Sequence, residues 1–279
     1  MTHPASAPQE SRKSRRTSSE KVLNVLNLFT EEQPAWSVEM MMEKLGSTRA
    51  TTYRYVKALD EAGLLAPGAG GSYVLGPRII QLERQIQRSD PLLQLAVPLM
   101  ASDQSPLIGA KIISSFYGNQ VLAIHVEKFD PDIELTMGRG QVFPLLYGTP
   151  SKIILAYLSP YQMKTFYAAN SEEVQKAGLG DTWKDFRTNL RLMRRKGYCS
   201  GSHSNPKVIG FSAPIFHDKS SVSASLSYIC RIGVLSEEQK REVAARVVAA
   251  AEQISERLIK YRPENGQVEP VFTTPRVSS

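Results

Sequence analysis

Apolar residues recur at helical spacing through the first third of this chain. In the segment after Gly46, one side of a predicted helix is formed by Thr52, Tyr55, Val56 and Leu59. Glycine readily adopts the left-handed turn that joins two helices, and Ser47 is the predicted N-cap of the second helix. Two amphipathic segments come earlier, with predicted caps at Ser18 or Ser19 and at Ser37. Three short helices in this order predict a helix-turn-helix.

The other side of the helix that follows Ser47 is basic and almost free of carboxylates. A recognition helix needs this division, because one side docks on a small core while the other meets phosphates and base edges. An ordinary solvated helix is the alternative. The predicted DNA contacts are Ser47, Thr48, Arg49, Ala50, Thr51, Tyr53, Arg54, Lys57, Ser72 and Tyr73. Among these, Arg49 and Arg54 are the best candidates for reading guanine or binding phosphate.

Two short apolar runs at residues 64–65 and 73–75 flank a glycine-rich segment, which predicts a β-hairpin wing. The glycines lack the following GK[ST] of a phosphate-binding loop. Pro77 then opens a predicted linker helix over residues 78–88, with Ile79, Leu82 and Ile86 along one side. A monomer would leave this apolar side exposed, so we expect at least a dimer.

From residue 92 the pattern changes to strands and helices of an α+β domain. Strands are predicted at residues 111–117, 120–127, 133–137, 208–216 and 223–231. Helices are predicted at residues 151–158, from 159, at 181–196 and from 236 to about 261. In the second strand, alternation places His125 on the face of Val121 and Ala123. Strands followed by helices, without strict alternation, predict a mainly antiparallel sheet.

Charge and composition narrow the classes of function. The net charge is +7, which favours an anionic partner such as nucleic acid or a membrane surface. No apolar run approaches the ~18 residues that span a bilayer, and no secretory signal is present, so we expect a cytoplasmic protein without a membrane partner. The two cysteines and four histidines show no metal-ligand spacing, and no GxSxG motif occurs. We therefore predict no metal, no cofactor and no catalytic residue.

A segment around residue 145 combines glycines, aromatic side chains and hydroxyls. It predicts a pocket for a small organic anion, in which Arg139 supplies a charge and a helix N-terminus favours a carboxylate. The alternative is a solvated arginine beside plain core residues. The predicted effector-binding residues are Met137, Arg139, Phe143, Leu145, Tyr147, Gly148, Thr149, Ser151, Ile209, Gly210 and Phe211.

From about residue 18 to 259 the chain resembles the isocitrate lyase regulator (IclR) family of bacterial transcription factors. The matching stretches are EKVLNVLNLF, RATTYRYVKALDEAGLL, SYVLGPRIIQL, GRGQVFPLLYGTPSKIILAYL, RRKGY, FSAPIF and LSYI. The resemblance implies a winged helix-turn-helix, a linker helix and a GAF-like effector domain. It also implies a dimer, or a dimer of dimers, on double-stranded operator DNA. The chain departs from the family pattern at Ser151, usually glycine, and at His203 and Gly210, near which an acidic and a small residue are usual.

We therefore expect a DNA-binding transcriptional regulator whose operator binding responds to a small organic-acid or aromatic effector. The expected boundaries are a disordered basic tail at 1–17, the winged helix-turn-helix at 18–77, the linker helix at 78–91, the effector domain at 92–262 and a disordered tail at 263–279. The alternatives are an architectural DNA-binding protein that senses no effector and, less well supported, an enzyme fused to a DNA-binding head.

Overall fold

The computed structural model describes residues 17–117, 120–135, 138–202, 205–233 and 235–262. The expected disordered tails, apart from residue 17, lie outside this range, as do Met137 and His203. The chain divides into two compact units, Met1–Gln87 and Arg88–Ser279. Among the described residues, no helix has the length and apolar character needed to cross a membrane.

The first unit contains three helices, α1 at Ser18–Leu26, α2 at Val38–Leu45 and α3 at Arg49–Glu61. Ser37 caps α2 as predicted, and Gly46 ends it with a φ of 59° in the left-handed region. All four apolar positions predicted for α3 are buried, and they pack with residues of α1, α2 and the wing. The fully buried members of this core are Val25, Met41, Tyr55, Val56, Leu59 and Leu65.

Two predicted N-caps are wrong by one residue. Thr17, rather than Ser18 or Ser19, caps α1, because its hydroxyl and the Glu20 carboxylate form a reciprocal capping box. Thr48, rather than Ser47, caps α3 by accepting the backbone N–H of residue 51. The backbone N–H of Ser47 still bonds to the carbonyl of residue 42, so Ser47 completes the end of α2.

The wing follows α3 as a two-stranded antiparallel hairpin of β1, Leu65–Pro67, and β2, Tyr73–Leu75. Its tip is a short 3-10 turn at Ala69–Gly71. Helix α4 spans Pro77–Ser89, and none of its described residues is buried. Ile80 is 72% exposed and Ile86 is 55% exposed, which are large fractions for apolar side chains.

The second unit is an antiparallel six-stranded sheet with helices on both faces, which confirms the predicted α+β class. Its strands are β3 at Ala110–Tyr117, β4 at Gln120–Lys128, β5 at Val142–Pro144, β6 at Cys199–Gly201, β7 at Val208–Phe216 and β8 at Val222–Arg231. Their order is β5-β4-β3-β8-β7-β6. The helices are α5 at Pro91–Ser102, α6 at Gly148–Ala156, α7 at Pro160–Lys176, α8 at Trp183–Lys196 and α9 at Glu237–Lys260.

Two hydrophobic cores lie on opposite faces of this sheet. Helices α5 and α9 cover one face, where Phe211 and Tyr228 are fully buried. Helices α6, α7 and α8 enclose the second core, which contains Leu145 and Phe186. Because strand residues point alternately to the two faces, successive residues along β7 or β8 pack on opposite sides of the sheet.

The edge strands differ from the prediction. Residues 133–135 do not form the predicted strand, and the edge of the sheet is β5, which pairs with β4. Strand β6 was not predicted either. Both strands have only three residues, too few for alternation to distinguish them from a loop. Helix α6 begins at Gly148, before the predicted start at Ser151, because Pro150 needs no N–H partner in a first turn.

A β-bulge in β4 changes the predicted position of His125. The pairing with β3 shifts between residues 113 and 114, so that Ile113 faces His125 while Ser114 faces Ala123. His125 therefore leaves the face of Ala123, and its Nε2 lies 3.1 Å from Glu127 Oε1. Val126 takes the place beside Ala123 in the apolar cluster on that face. An extra residue reverses the alternation, which sequence spacing alone does not show.

Asp218 holds the turn between β7 and β8. Its Oδ1 accepts the backbone N–H groups of Ser220 and Ser221, each at 2.7 Å. These bonds, with Ser220 the larger contributor, lower the pKa of Asp218 from 3.8 to about 2. Because the folded pKa lies below the unfolded value, the stabilisation is present above the unfolded pKa and is lost as the pH falls through the folded pKa.

We expect Asp218→Asn to lower the free energy of unfolding by about 1 kcal/mol near neutral pH, a small effect because the turn is solvent-exposed. The difference in the free energy of unfolding between Asp218→Asn and wild type should narrow as the pH falls below 3.8 toward about 2. Urea unfolding at several pH values measures it. Glu252→Gln, which removes an exposed α9 carboxylate, should show no such gap. A gap that is constant down to the lowest pH would contradict the role of the charged carboxylate.

Candidate DNA-binding face and effector pocket

The outer side of α3 is solvent-exposed and basic. Ala50, Tyr53, Arg54 and Lys57 lie on it, and Tyr53 is 56% exposed. The Arg54 guanidinium lies 5.7 Å from the centroid of the Tyr55 ring, which orients it beside the helix. This side therefore presents the cations that the sequence assigned to it.

Two cations of this face make surface ion pairs. Arg49 lies 3.1 Å from Glu39 of α2, and Lys57 lies 3.8 Å from Glu61 one turn later. Exposed pairs of this kind contribute little to stability, at most about 1 kcal/mol. The phosphates of DNA can therefore replace these carboxylates at small cost.

The predicted hydroxyls of this region have structural partners. Ser47 Oγ lies 2.6 Å from Thr52 Oγ1, and Thr48 Oγ1 donates to Thr51 Oγ1 at 2.9 Å. In the wing, Ser72 Oγ donates to the carbonyl of residue 69 at 2.7 Å. Tyr73 is half-buried against the core of the first unit. Its backbone also pairs with residue 36, so Tyr73 anchors the wing.

The second unit contains a cavity of about 70 Å³ that is partly open to solvent. It lies between the N-terminus of α6 and the sheet face formed by β3, β7 and β8. Four predicted effector residues line it: Phe143, Gly148, Thr149 and Gly210. The other lining residues are Ile112, Glu134, Leu135, Pro150, Gly201, Ser202, Asn205, Val208 and Ile229. The described wall is thus mostly apolar. Its polar side chains are Glu134, Thr149, Ser202 and Asn205, and the part around Thr149 is its polar end.

Several predicted effector residues lie elsewhere. Ile209 and Phe211 pack on the opposite face of the sheet, because strand neighbours of Gly210 point away from it. Leu145 is buried in the core under α7 and α8. Tyr147 donates its hydroxyl hydrogen bond to Glu173 at 3.1 Å. Ser151 is fully buried in α6, and its Oγ has no hydrogen-bond partner in the described part of the chain.

Arg139 is absent from the described lining of the cavity. Its charge acts instead near the start of α5. Burial raises the pKa of Asp90, and the backbone N–H groups of Leu92 and Leu93 and the nearby Arg139 counteract this effect. The charge expected in the pocket thus acts, weakly, on the pKa of Asp90. Met137, the remaining predicted residue, lies outside the described residues.

A chain of buried hydroxyls ends at the polar side of the cavity. Ser212 Oγ donates to Thr149 Oγ1 at 2.7 Å, and the oxygens of Ser212 and Ser227 are also 2.7 Å apart. A hydroxyl has one proton, so Ser227 must donate to Ser212. Within the described chain, the proton of Thr149 then has no acceptor. This end of the cavity offers a hydroxyl donor and the first N–H groups of α6 to an acceptor such as a carboxylate.

Sequence reasoning missed Ser212, Ser227 and Asn205. Asn205 lines the cavity, and its side-chain amide donates to the carbonyl of residue 134 at 2.9 Å, which ties two lining segments together. A signal was available for the serines. Ser223, Ser225 and Ser227 repeat every second residue in an otherwise apolar strand, which indicates one polar stripe facing the interior.

The cysteines do not resemble catalytic nucleophiles. Cys199 and Cys230 are both buried, and burial raises their pKa values to about 11 and about 12. Both thiols are therefore protonated near neutral pH, and the thiolate is the reactive form. Across the described ranges, no group of three His, Cys, Asp or Glu side chains is placed to hold a metal ion.

Comparison with known proteins gives consistent matches along the chain. The IclR helix-turn-helix domain matches residues 18–67, and the bacterial transcriptional regulator IclR C-terminal domain matches residues 112–256. The HTH-type transcriptional regulator KipR of Bacillus subtilis is 24% identical over 243 residues. That alignment covers 85% of this chain and 95% of KipR.

Solved structures share the fold at low sequence identity. An IclR transcriptional regulator from Alicyclobacillus acidocaldarius superposes with a TM-score of 0.72 at 17% identity, covering 86% of this chain and 98% of that one. An IclR homologue from Microbacterium hydrocarbonoxydans, complexed with 4-hydroxybenzoate, superposes with a TM-score of 0.70 at 20% identity, covering 88% and 100%. The family is one of regulators rather than enzymes, and this chain belongs to it as an IclR-type transcriptional regulator with a DNA-binding helix-turn-helix.

Proposed function

We propose that the protein binds operator DNA as a dimer and that a small aromatic or organic acid changes this binding. The observation that carries the proposal is the outer side of α3, where exposed cations surround small residues and the ion pairs are weak. A helix with these properties can enter the major groove, whose base edges are open to side chains.

Arg49 and Arg54 are the proposed base-reading residues, since a guanidinium can bind the two acceptors of guanine at once. Tyr53 and Lys57 are the proposed phosphate contacts. Ser47, Thr48 and Thr51 stabilise the start of α3 and so place these side chains. The phosphate contacts of Tyr53 and Lys57 set the position of the protein along the DNA, whereas the arginines supply selectivity.

The proposed dimer rests on the apolar side of α4. Leu82 and Ile86 are exposed on this side, which they share with the half-buried Ile79, and Leu75 of the wing is also exposed. A second copy would cover them, and two heads would read an inverted repeat with half-sites about one helical turn apart. Sedimentation of the full chain with and without DNA tests this, and a monomer in both conditions would exclude it.

The effector proposal rests on the cavity beside α6. Ile112, Leu135, Phe143 and Ile229 form an apolar wall for a ring, and Thr149 offers a hydroxyl donor at the polar end. The structural neighbour in complex with 4-hydroxybenzoate supports an aromatic acid as the ligand class. To regulate DNA binding, the ligand must favour one protein conformation over another, because equal affinity for both shifts nothing.

Two measurements test the proposal. Selection from random duplexes should enrich one inverted repeat. Calorimetry with benzoates, phenols and short dicarboxylates should then find a ligand whose affinity falls about tenfold in Thr149→Val, since a carboxylate loses a donor. Thr188→Val, which removes a hydroxyl on the exposed side of α8, is the matched control. Selective DNA binding with no ligand response would instead support the architectural alternative.

A further inference from the structure

A second cavity lies in the first unit, beside the first turn of α3. Its volume is about 300 Å³, and part of it is open to solvent. Helix α1 contributes Lys21 and Asn24 to its lining, α3 contributes Thr51 and Tyr55, and Thr48, the N-cap of α3, also lines it. Within the described part of the chain, its lining includes a lysine and no carboxylate. The cavity therefore has a positive electrostatic character.

Tyr55 is a feature of this cavity that packing does not explain. Its ring belongs to the core of the first unit, and the residue is only 5% exposed. Its hydroxyl makes no hydrogen bond to any residue that the structure describes, although it lines the cavity. The hydroxyl opens onto the cavity, and phenylalanine would fill the same core volume. The hydroxyl is thus placed to bond with something that enters the cavity.

The other polar side chains around the cavity also carry available hydrogen-bond donors. Thr48 Oγ1 donates to Thr51 Oγ1, which leaves the proton of Thr51 available. Asn24 Oδ1 accepts from Asn27 at 3.3 Å, so the Asn24 amide group keeps its two N–H donors. Within the described residues, the Lys21 ammonium makes no ion pair. Four residues with donors thus line one cavity beside the positive end of the α3 dipole, a setting suited to an anion.

We infer that this cavity binds a backbone phosphate of operator DNA, an inference that rests on the proposed function. Thr51 precedes Arg54 by three residues, so the two are neighbours on the surface of α3. The cavity therefore adjoins the side of the helix that meets DNA. Phosphates line both edges of the major groove, and one of them can enter when α3 lies in the groove. Lys21 supplies the charge, and Tyr55 supplies a neutral donor.

The test uses the full chain with its selected operator and with an unrelated duplex, over a range of salt concentrations. Lys21→Ala should weaken binding to both duplexes by the same factor and reduce the slope of log K against log salt by about 0.9, the value for one phosphate contact. Tyr55→Phe should weaken both about five- to tenfold with no change in slope, because it removes an uncharged donor.

Lys44→Ala is the matched control, since Lys44 is an exposed lysine of the same unit that does not line the cavity. An equal loss of slope in Lys44→Ala would show that overall charge, and not the cavity, accounts for the effect. That result would overturn the inference. So would wild-type affinity and slope in both Lys21→Ala and Tyr55→Phe.

A second arm distinguishes DNA phosphate from a free anion. Inorganic phosphate is titrated at constant ionic strength while thermal unfolding is followed in the wild type and in both variants. Stabilisation of the wild type alone, with DNA binding unchanged in the variants, would identify a free-phosphate site and refute the DNA contact. If the wild type itself selects no operator, the proposed function fails. If it selects one and the variants bind equally well, only this inference fails.

Discussion

Operator binding is expected to weaken about 5- to 150-fold when Arg54 is replaced by alanine, and selectivity should fall with it. The Arg54 side chain lies on the exposed side of α3 with its guanidinium beside the Tyr55 ring. In the major groove it can donate two hydrogen bonds to one guanine, and alanine leaves those acceptors without partners. Fluorescence anisotropy with the operator, with single-base variants and with an unrelated duplex measures both effects.

Two controls define what Arg54 contributes. Arg54→Lys keeps the charge and loses the paired donors, so it should retain binding to unrelated DNA while losing discrimination at one base pair. Arg187→Ala, an exposed arginine of α8 in the other unit, should leave operator binding unchanged. Equal affinity and selectivity in Arg54→Ala and wild type would show that this side of α3 is not the reading face.

The second large effect is expected in the effector cavity. A Cβ at Gly210 would lie 2.9 Å from Thr149 Oγ1 and 3.3 Å from Ile229 Cδ1. Gly210→Val places two further carbons between these groups, which fills the polar end of the cavity. Ligand affinity should fall by about 100-fold or more, since one misplaced methylene already costs about 1–3 kcal/mol in a tight pocket.

Gly201→Ala is the matched control for this effect. Gly201 lines the same cavity, but its added Cβ would lie at an ordinary distance of 3.9 Å from Thr149 Cγ2. It should reduce affinity only slightly. Circular dichroism and operator binding without ligand should both be similar in Gly210→Val and wild type, which shows that both units are folded. Full ligand response in a folded Gly210→Val protein would place the effector elsewhere.

The first unit could be predicted closely from its sequence, because local interactions determine it. The positions of Thr52, Val56 and Leu59 on one side of α3 follow from helical periodicity alone. The cap at Ser37 and the left-handed turn at Gly46 depend on interactions a few residues away. The caps at residues 17 and 48 were misplaced by one position, since neighbouring hydroxyl residues compete for the same local role.

The effector site was harder to predict because it depends on strand register. Gly210 lines the cavity, whereas its neighbours Ile209 and Phe211 face the opposite core. Strand alternation predicts that successive residues point to opposite faces of the sheet. It does not predict which face carries the cavity. The charge of Arg139 was assigned from its position beside two glycines, and the tertiary structure places it near Asp90 instead.

By itself, the sequence determined the family, the order of the main helices and of the four long strands, and the basic side of α3, since each depends on spacing over a few residues. The tertiary structure alone decided which groups share a cavity. Thr149 meets Ser212 from 63 positions away, and Tyr55 and Lys21 line one cavity from two different helices. Long-range contacts depend on the order of strands in the sheet, on a β-bulge that reverses which face the side chains of β4 point to, and on helix packing. All three arise from the burial of distant apolar surfaces against each other, which no local pattern records.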